Sequence, residues 1–578
     1  MTSVDSASDV SLPRAFRFLP WALFAVVFIL FASTLSFDFL DWDDMVNIVD
    51  NHHLARLSKA DFRWFLTSSA VSDFKPLVWL SYVADRLVWG LRPAGFRLTN
   101  ILLHAANAVW VYVLGVQLLS LSGGVGGRAR LYRVTACVAA LLFALHPQRI
   151  ESVVWISERK DVLHAFFYLA ALSLYVKGPG ANRLRWVVRW TVLGMAAMLS
   201  KSMAVTLPVV LLLADGLLGN RLPVWRNGGV LWRKALMEKA PLLLAAVLTG
   251  LRALQDQSDN PAGNFMLLGT LWSYASAVGY YAAKTLWPEA LCPLYAAHGL
   301  VSAAEVRALL MGGIAMLLLA GWLWQRGRRL PVFLMAFFVV ALGPALPIRF
   351  VADRYTYLPS LGLIGCVVGL WMEGMVRAER QPAARVALWL AALLALVGSG
   401  VSALRYAPVW RDSLSLWTHV VKANPCARSW YGLGAAQLRL GDFAAASASL
   451  DEALRCDAEF VGAYSMLGEV RLREGNAVEA EGYLRRALEL NPRMLEAHQN
   501  MGTALAMQDR LDEAIAAWQR AVELDSENFS ARLNLSRAYL KVNRPRDALD
   551  QGVLALRIRP TSSEAAGAVR QAEMKLSQ

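Results

Sequence analysis

The sequence predicts an all-α protein: a polytopic transmembrane helical domain followed by a soluble array of helical repeats. Three observations predict it. Of 578 residues, 56% are hydrophobic and 18% charged, against about 45–50% and about 25% in average soluble domains. Apolar runs near the roughly 20 residues that cross a bilayer recur up to Pro408 and stop there. Beyond Pro408 the chain is Ala-rich, charged and periodic. The expected division is 1–408 for the membrane domain and 409–578 for the soluble one. This composition excludes a disordered chain and argues against an ordinary cytosolic enzyme.

The first apolar run covers 18–36 and follows Arg14 and Arg17. It is long and no small-residue cleavage site follows, so it reads as a retained crossing and not a signal peptide. Net charge is +14. Such a balance suits nucleic acid or basic cytoplasmic loops, and the positions of the arginines decide. They cluster at Arg128, Arg130 and Arg133; at Lys177, Arg183, Arg185 and Arg189; at Arg221, Arg226, Arg233, Lys234 and Lys239; at Arg326, Arg328 and Arg329; and at Arg377, Arg380 and Arg385. Basic loops stay cytoplasmic, which leaves 37–95, 146–161, 199–204, 254–303 and 348–356 outside. About eleven crossings satisfy the pattern, with the N-terminus inside and the tail outside. The apolar segment 265–287 then reads as an outer-face or re-entrant helix. No nucleic acid is needed to explain the charge.

The tail repeats every 34 residues. Gly434, Gly468, Gly502 and Ser536 form one column; Ala446, Ala480, Ala514 and Ala548 a second; Ala453, Ala487, Ala521 and Ala555 a third. Leu433, Leu467, Met501 and Leu535 precede the first column, and Pro492 and Pro560 close two units. This is the tetratricopeptide (TPR) pattern of paired antiparallel helices. Repeats are expected at 427–460, 461–494, 495–528 and 529–562, with a leading half-repeat at 414–423 and a capping helix at 564–576. Such stacks bind peptides or protein segments, or serve as spacers. Cys426 and Cys456 fall at adjoining ends of one repeat, where a disulfide and two separate thiols are equal readings.

The chemistry-bearing residues gather in the expected outer loops. Asp41, Asp43 and Asp44 directly follow the first crossing. A carboxylate there can take a proton from a hydroxyl, and the group offers ligands for a divalent metal such as Mg or Mn. His52 and His53 are adjacent polar residues that read first as loop and second as ligands. The next loop carries His146, Glu151, Glu158, Arg159, Lys160 and Asp161 within sixteen positions. Ionisable groups at a membrane boundary are costly and usually paired or functional. His146 and Glu151 are placed to share a proton, and Arg159 and Lys160 to hold a phosphate, against interfacial snorkelling as the plain alternative. Lys75, Lys201 and Arg354 recur at other outer ends. Cations and acids on one face suit an anionic, lipid-attached substrate. No Walker loop, GxSxG elbow, HExxH or CxxC motif is present.

Several segments resemble the transmembrane and tetratricopeptide-repeat O-mannosyltransferase family, which are C-type (GT-C) glycosyltransferases. They are DWDDMVNIVDN (41–51), FKPLVWLSYVADRLVWGLRPAGFRLTNILLHAANA (74–108), LLFALHPQRIESVVWISERKDVL (141–163), LSKSMAVTLPVVLLLADGL (199–217) and ADRYTYLPSLG (352–362), followed by the repeats. With about four repeats, the chain looks like a compact bacterial-type member. The resemblance implies a GT-C-like fold and inverting transfer of mannose or another hexose. The donor would be a polyprenyl-phosphate sugar, and the acceptor an extracytoplasmic hydroxyl such as protein Ser or Thr. It implies Asp43 or Asp44 as base, His146, Glu151 and Asp161 as positioning residues, and Lys75, Arg159, Lys160, Lys201 and Arg354 against the lipid phosphate. The implied location is a bacterial inner membrane, with the repeats outside docking a protein. The rival reading is a non-catalytic membrane scaffold whose repeats recruit envelope proteins. A flippase is disfavoured because the charges gather at helix ends and not within helices.

Overall fold

The computed structural model describes residues 15–55, 58–68, 74–123, 128–218, 230–258, 271–295, 303–345 and 352–578. Arg14, Arg221, Arg226, the stretch 265–270 and parts of the expected loops 37–95, 254–303 and 348–356 lie outside them. The described residues are helical, with no strand. The chain separates into two compact units, Met1–Asp412 and Ser413–Gln578.

The first unit is built from α1 (Ala15–Ala32), α2 (Lys59–Thr67), α3 (Pro76–Trp89), α4 (Pro93–Gly123), α5 (Ala129–Leu145), α6 (Arg149–Val154), α7 (Arg159–Lys177), α8 (Arg183–Ser200), α9 (Leu207–Leu217), α10 (Val230–Ser258), α11 (Leu271–Leu286), α12 (Ala303–Gln325), α13 (Arg329–Leu342), α14 (Ser360–Arg377) and α15 (Pro382–Tyr406). Helix α4 is the central strut, packed on α1, α5 and α7, while α13 and α14 pair and α14 lies along α5. Among the described residues, four helical stretches are long and apolar enough to cross a membrane: Arg17–Ser36, Pro93–Ser122, Ser360–Arg377 and Pro382–Trp410. Ser202–Leu217, Leu310–Gln325 and Arg329–Ala345 are apolar but shorter. Length and composition therefore do not confirm about eleven crossings. One physical reason is that helices such as α8 carry several arginines (Arg183, Arg185, Arg189). The last long helix turns Leu390, Leu393, Leu394 and Val397 outward. A contiguous apolar face of this kind suits lipid, and with the other long helices it marks a membrane-associated chain.

Helices α2 and α3 lie inside the region expected as a loop. A capping box starts α2, in which the Ser58 and Asp61 side chains each accept the other's backbone N–H at 3.2 and 3.1 Å. Pro76 starts α3, and Gly90 ends it at φ +63°. His53 is no free ligand, since it pairs with Asp61 at 2.8 Å and stacks on Trp64.

The second unit is the repeat array. Its helix pairs are Ala427–Arg439 with Phe443–Cys456, Val461–Arg473 with Ala477–Leu490, Leu495–Met507 with Leu511–Leu524, and Phe529–Lys541 with Pro545–Ile558. Ser413–Ala423 precedes them and Ser563–Ser577 follows. The small-residue columns mark the closest approach within each pair. A Cβ on Gly468 would stand 2.5 Å from Leu484, and one on Gly502 would stand 2.5 Å from Trp518. At the fourth position Ser536 fits by donating its hydroxyl to the Ala548 carbonyl at 2.7 Å. Both alanine columns are wholly buried. Cys426 and Cys456 are both free thiols.

Candidate functional site

Three loops meet at one end of the membrane unit: the segment after α1, the α5–α7 connection and the approach to α14. Arg97 of α4 clamps the first two. Its guanidinium donates to the carbonyls of Phe37 at 2.6 Å, Asp38 at 2.9 Å and Val154 at 3.0 Å. A tryptophan stack adds to the clamp, with Trp42 4.8 Å from Trp155 and Trp155 5.6 Å from Trp410.

The paired acids of the first loop separate in role. Asp44 is wholly buried. One oxygen accepts from the Ser157 N–H at 2.9 Å and the Ser157 hydroxyl at 2.5 Å, and the other from the Leu40 N–H at 3.0 Å. Burial raises its pKa to about 6 despite these bonds. Asp43 is half-buried beside Trp42 and makes no side-chain hydrogen bond or ion pair among the described residues. With both Asp44 oxygens committed and Asp41 already engaged, the loop does not present the several open oxygens of a Mg site.

Four expected cations converge, and the residue at their centre is Glu158. It is buried, and burial would raise its pKa, but Lys160, Arg354, Lys201 and Lys75 together pull it down to about 2. Its Oε1 lies 3.3 Å from Arg354 and 3.5 Å from Lys160. Its Oε2 is buried with no hydrogen-bond partner. Each cation is held in place. Lys75, at the start of α3, donates to Asn47 at 3.3 Å and lies over Trp79. Lys201, at the end of α8, pairs with Asp161, which also accepts from Ser152 at 2.8 Å. Arg354 pairs with Glu151, donates its backbone N–H to the same carboxylate at 3.2 Å, and lies over Trp155 and Tyr355. Burial raises Glu151 to about 8, against the pull of Arg354. Glu151 and Asp161 thus orient cations.

Two expected site residues point elsewhere. Arg159 is buried and turned away from the four cations. It pairs with Asp85 at 2.5 Å, donates to Asn100 at 2.7 Å and the Phe96 carbonyl at 2.5 Å, and lies over Tyr82. Its charge ties α7 to α3 and α4. His146 does not share a proton with Glu151. Its Nε2–H donates to the Thr285 carbonyl at 2.9 Å, so Nδ1 is left to accept from Gln148 N–H at 3.4 Å. Burial holds it neutral, with its pKa near 3. His146 fastens the end of α5 to the end of α11.

Behind the cations lies a polar layer that the sequence did not single out. Gln148 donates to Asp353 at 3.1 Å and accepts from Thr356 at 3.1 Å. Arg149 donates to Thr356 and lies over Phe143 and Tyr357. The Tyr357 hydroxyl meets His104 at 2.6 Å and Asn107 at 3.0 Å. These groups lock Arg354 between Asp353 and Tyr355 on its short helical turn. Polar residues in an apolar stretch were the available signal, but their partners lie some two hundred positions away.

The family model described as Tetratricopeptide repeat matches 401–459, 433–494, 465–529 and 500–563. Protein O-mannosyl-transferase TMTC4 of Homo sapiens is 28% identical over 432 residues, 63% of this chain and 57% of that protein. The Mus musculus protein of that name is 26% identical over 511 residues, 75% and 66% respectively. The chain therefore spans about 57–66% of the length of these relatives. Among solved structures, "Crystal structure of MamA protein" is similar at 23% identity with a TM-score of 0.25, covering 26% of this chain and 82% of that one. YrrB, titled a TPR protein with an unusual peptide-binding site, is similar at 24% identity and a TM-score of 0.24, covering 35% and 97%. With relatives named as O-mannosyl-transferases and a repeat tail in place, the chain is similar to proteins of the transmembrane and tetratricopeptide-repeat O-mannosyltransferase family.

Proposed function

We propose that this chain is an integral membrane glycosyltransferase of the inverting GT-C type. It moves mannose or another hexose from a polyprenyl-phosphate carrier to a hydroxyl outside the cytoplasm, on Ser or Thr of a protein docked by the repeats. The proposed setting is a bacterial inner membrane with the N-terminus cytoplasmic and the repeats periplasmic. The observation that carries the reading is a carboxylate, Asp43, unpartnered among the described residues, on a segment whose Asp44 holds Ser157 and whose Asn47 holds Lys75, next to the cations around Glu158.

In this reading Asp43 accepts the acceptor's hydroxyl proton as the oxygen attacks C1 of the sugar. The bond from C1 to the phosphate oxygen breaks, and its electron pair leaves with the phosphate. Attack and departure occur on opposite faces, so the anomeric centre inverts. Lys75, Lys160, Lys201 and Arg354 stabilise the charge that grows on the departing phosphate. Asp44 does not act on substrate: it fixes the loop that carries Asp43. Glu151 and Asp161 aim Arg354 and Lys201, while Arg159 and His146 brace the helices behind them.

The test is transfer from labelled polyprenyl-phosphate mannose to a Ser/Thr peptide in membranes holding the full chain. Asp43→Asn should cost about 10²–10⁴-fold in rate, the usual range for a lost general base. Transfer at the wild-type rate would remove Asp43 as base. An acidic loop that tolerates neutralisation, with function lost on removing 427–562, would favour the scaffold.

A further inference from the structure

We propose that the opposite end of the membrane unit holds a binding site for an anionic glycerophospholipid. Helices α4, α5 and α14 each run from the end of the unit that holds the carboxylate–cation cluster, where Asn100, His146 and Ser360 lie, to a far end near Ser122, Arg128 and Arg377. At that far end these helices, with α9, α12 and α13, line an open-mouthed cavity of about 1250 Å³. That exceeds the about 300–1,000 Å³ of ordinary small-molecule pockets. Its walls are apolar, with Leu118, Phe333 and Leu334 among them. Gly369 faces open space, since no atom lies within 4 Å of where its Cβ would stand.

The mouth is basic. Arg128, Arg326, Arg328, Arg329 and Arg377 line it, with Glu373 as the acid. Glu373 pairs with Arg328 and, at 3.6 Å, with Arg377. Arg326 lies over Trp322 and Arg329 over Trp324. No described carboxylate pairs with either of them or with Arg128. Five guanidinium groups against one carboxylate leave a strong positive excess at the entrance to an apolar space.

Charge complementarity selects the occupant. A guanidinium is the side chain best shaped to hold phosphate oxygens, and basic pockets between transmembrane helices hold anionic headgroups. A zwitterionic lipid brings no net charge to neutralise the mouth. These arginines come from three separate segments of the chain, each of which the positive-inside rule accounts for alone. That rule does not account for their meeting at one mouth with an apolar cavity behind it. The site is distinct from the carboxylate–cation cluster and does not rest on the proposed transfer reaction.

The test is native mass spectrometry of the purified full chain with equimolar phosphatidylglycerol and phosphatidylcholine. The wild type should retain phosphatidylglycerol at least about fivefold better. Arg128→Gln/Arg326→Gln/Arg329→Gln should bring that ratio to near one. Gly369→Phe keeps every charge and fills the wall, and should lose most retention of both lipids. Equal retention of the two lipids by the wild type overturns the proposal. So does wild-type retention of phosphatidylglycerol in either variant, because headgroup and tail must both be held. Displacement of phosphatidylglycerol by a tenfold lower concentration of polyprenyl phosphate would make the carrier the occupant and overturn it as well. If the triple variant does not fold, Gly369→Phe and the wild-type lipid ratio still decide.

Discussion

Asp44 and Asp43 are neighbours in sequence, and the first is buried with both oxygens bonded while the second is open. Composition and motif reading marked the pair but had no means of dividing it, because the division depends on Ser157, over one hundred positions away. The burial has a measurable consequence. A carboxyl raised from 3.8 to about 6 favours the folded state fully below pH 4, and that contribution is lost as pH rises through 6. The loss amounts to about 3 kcal/mol. Thermal unfolding of the full chain should therefore show the wild type losing stability between pH 4 and 7. Asp44→Asn should start lower, with a flatter profile across the same window; parallel profiles would refute the assignment. Glu158 titrates in the opposite sense. Its carboxyl is held near pH 2, so its stabilising contribution is present above 4.5 and lost only in acid. Glu158→Gln leaves the cations around it short of one counter-charge. It should lower stability by about 3–5 kcal/mol, as removal of one partner of a buried ion pair does. The deficit should shrink on adding polyprenyl phosphate. The sequence showed Glu158 as one acid among several; its central place comes from four cations on separate segments.

At the scale of elements, the repeats were legible because each column has a local physical cause. Gly468 is small because Leu484 lies against it, and the 34-residue spacing carries the same approach into the next pair. A further column lies in the turns. Gly441, Gly475, Asp509 and Asn543 all have positive φ, between 57° and 83°. Glycine, asparagine and aspartate are the residues that tolerate this conformation. Two glycines of one repeat separate packing from propensity. Gly468→Leu forces a side chain into Leu484 and should cost about 1–3 kcal/mol in chemical denaturation. Gly482 lies within the helix Ala477–Leu490, with nothing within 4 Å of its added Cβ. Gly482→Ala should stabilise by about 0.5–1 kcal/mol. Equal effects would contradict the assigned packing. Helices α2 and α3 were not legible, since they are short and mix polar with apolar residues inside a segment defined by its neighbours as a loop. The convergence of three loops was equally hidden. Periodicity reports which face of a helix is buried, and it says nothing of which distant loop meets which.

At the scale of the whole molecule, the charge is sorted along the membrane helices. Helix α4 begins among buried acids and cations that pair with one another and ends beside arginines that largely do not. The paired end suits a substrate site, and the unpaired end suits the cytoplasmic leaflet, where basic residues are retained during insertion. Sidedness follows as a prediction. Asp50, in the loop after α1, and Cys456, in the repeats, are both exposed. Arg377 is exposed at the end of α14. In intact spheroplasts, a membrane-impermeant maleimide should modify Cys456 and an Asp50→Cys variant without permeabilisation. In an Arg377→Cys variant that also carries Cys456→Ser, the cysteine at 377 should react only after the membrane is opened. If position 377 and Cys456 react together, the repeats share a face with the arginine loops, and the stretch Pro382–Trp410 between them does not make a single crossing. If Asp50→Cys reacts with Arg377→Cys instead, the carboxylate–cation cluster faces the cytoplasm. A polyprenyl-linked donor presented outside would then have no route to Asp43.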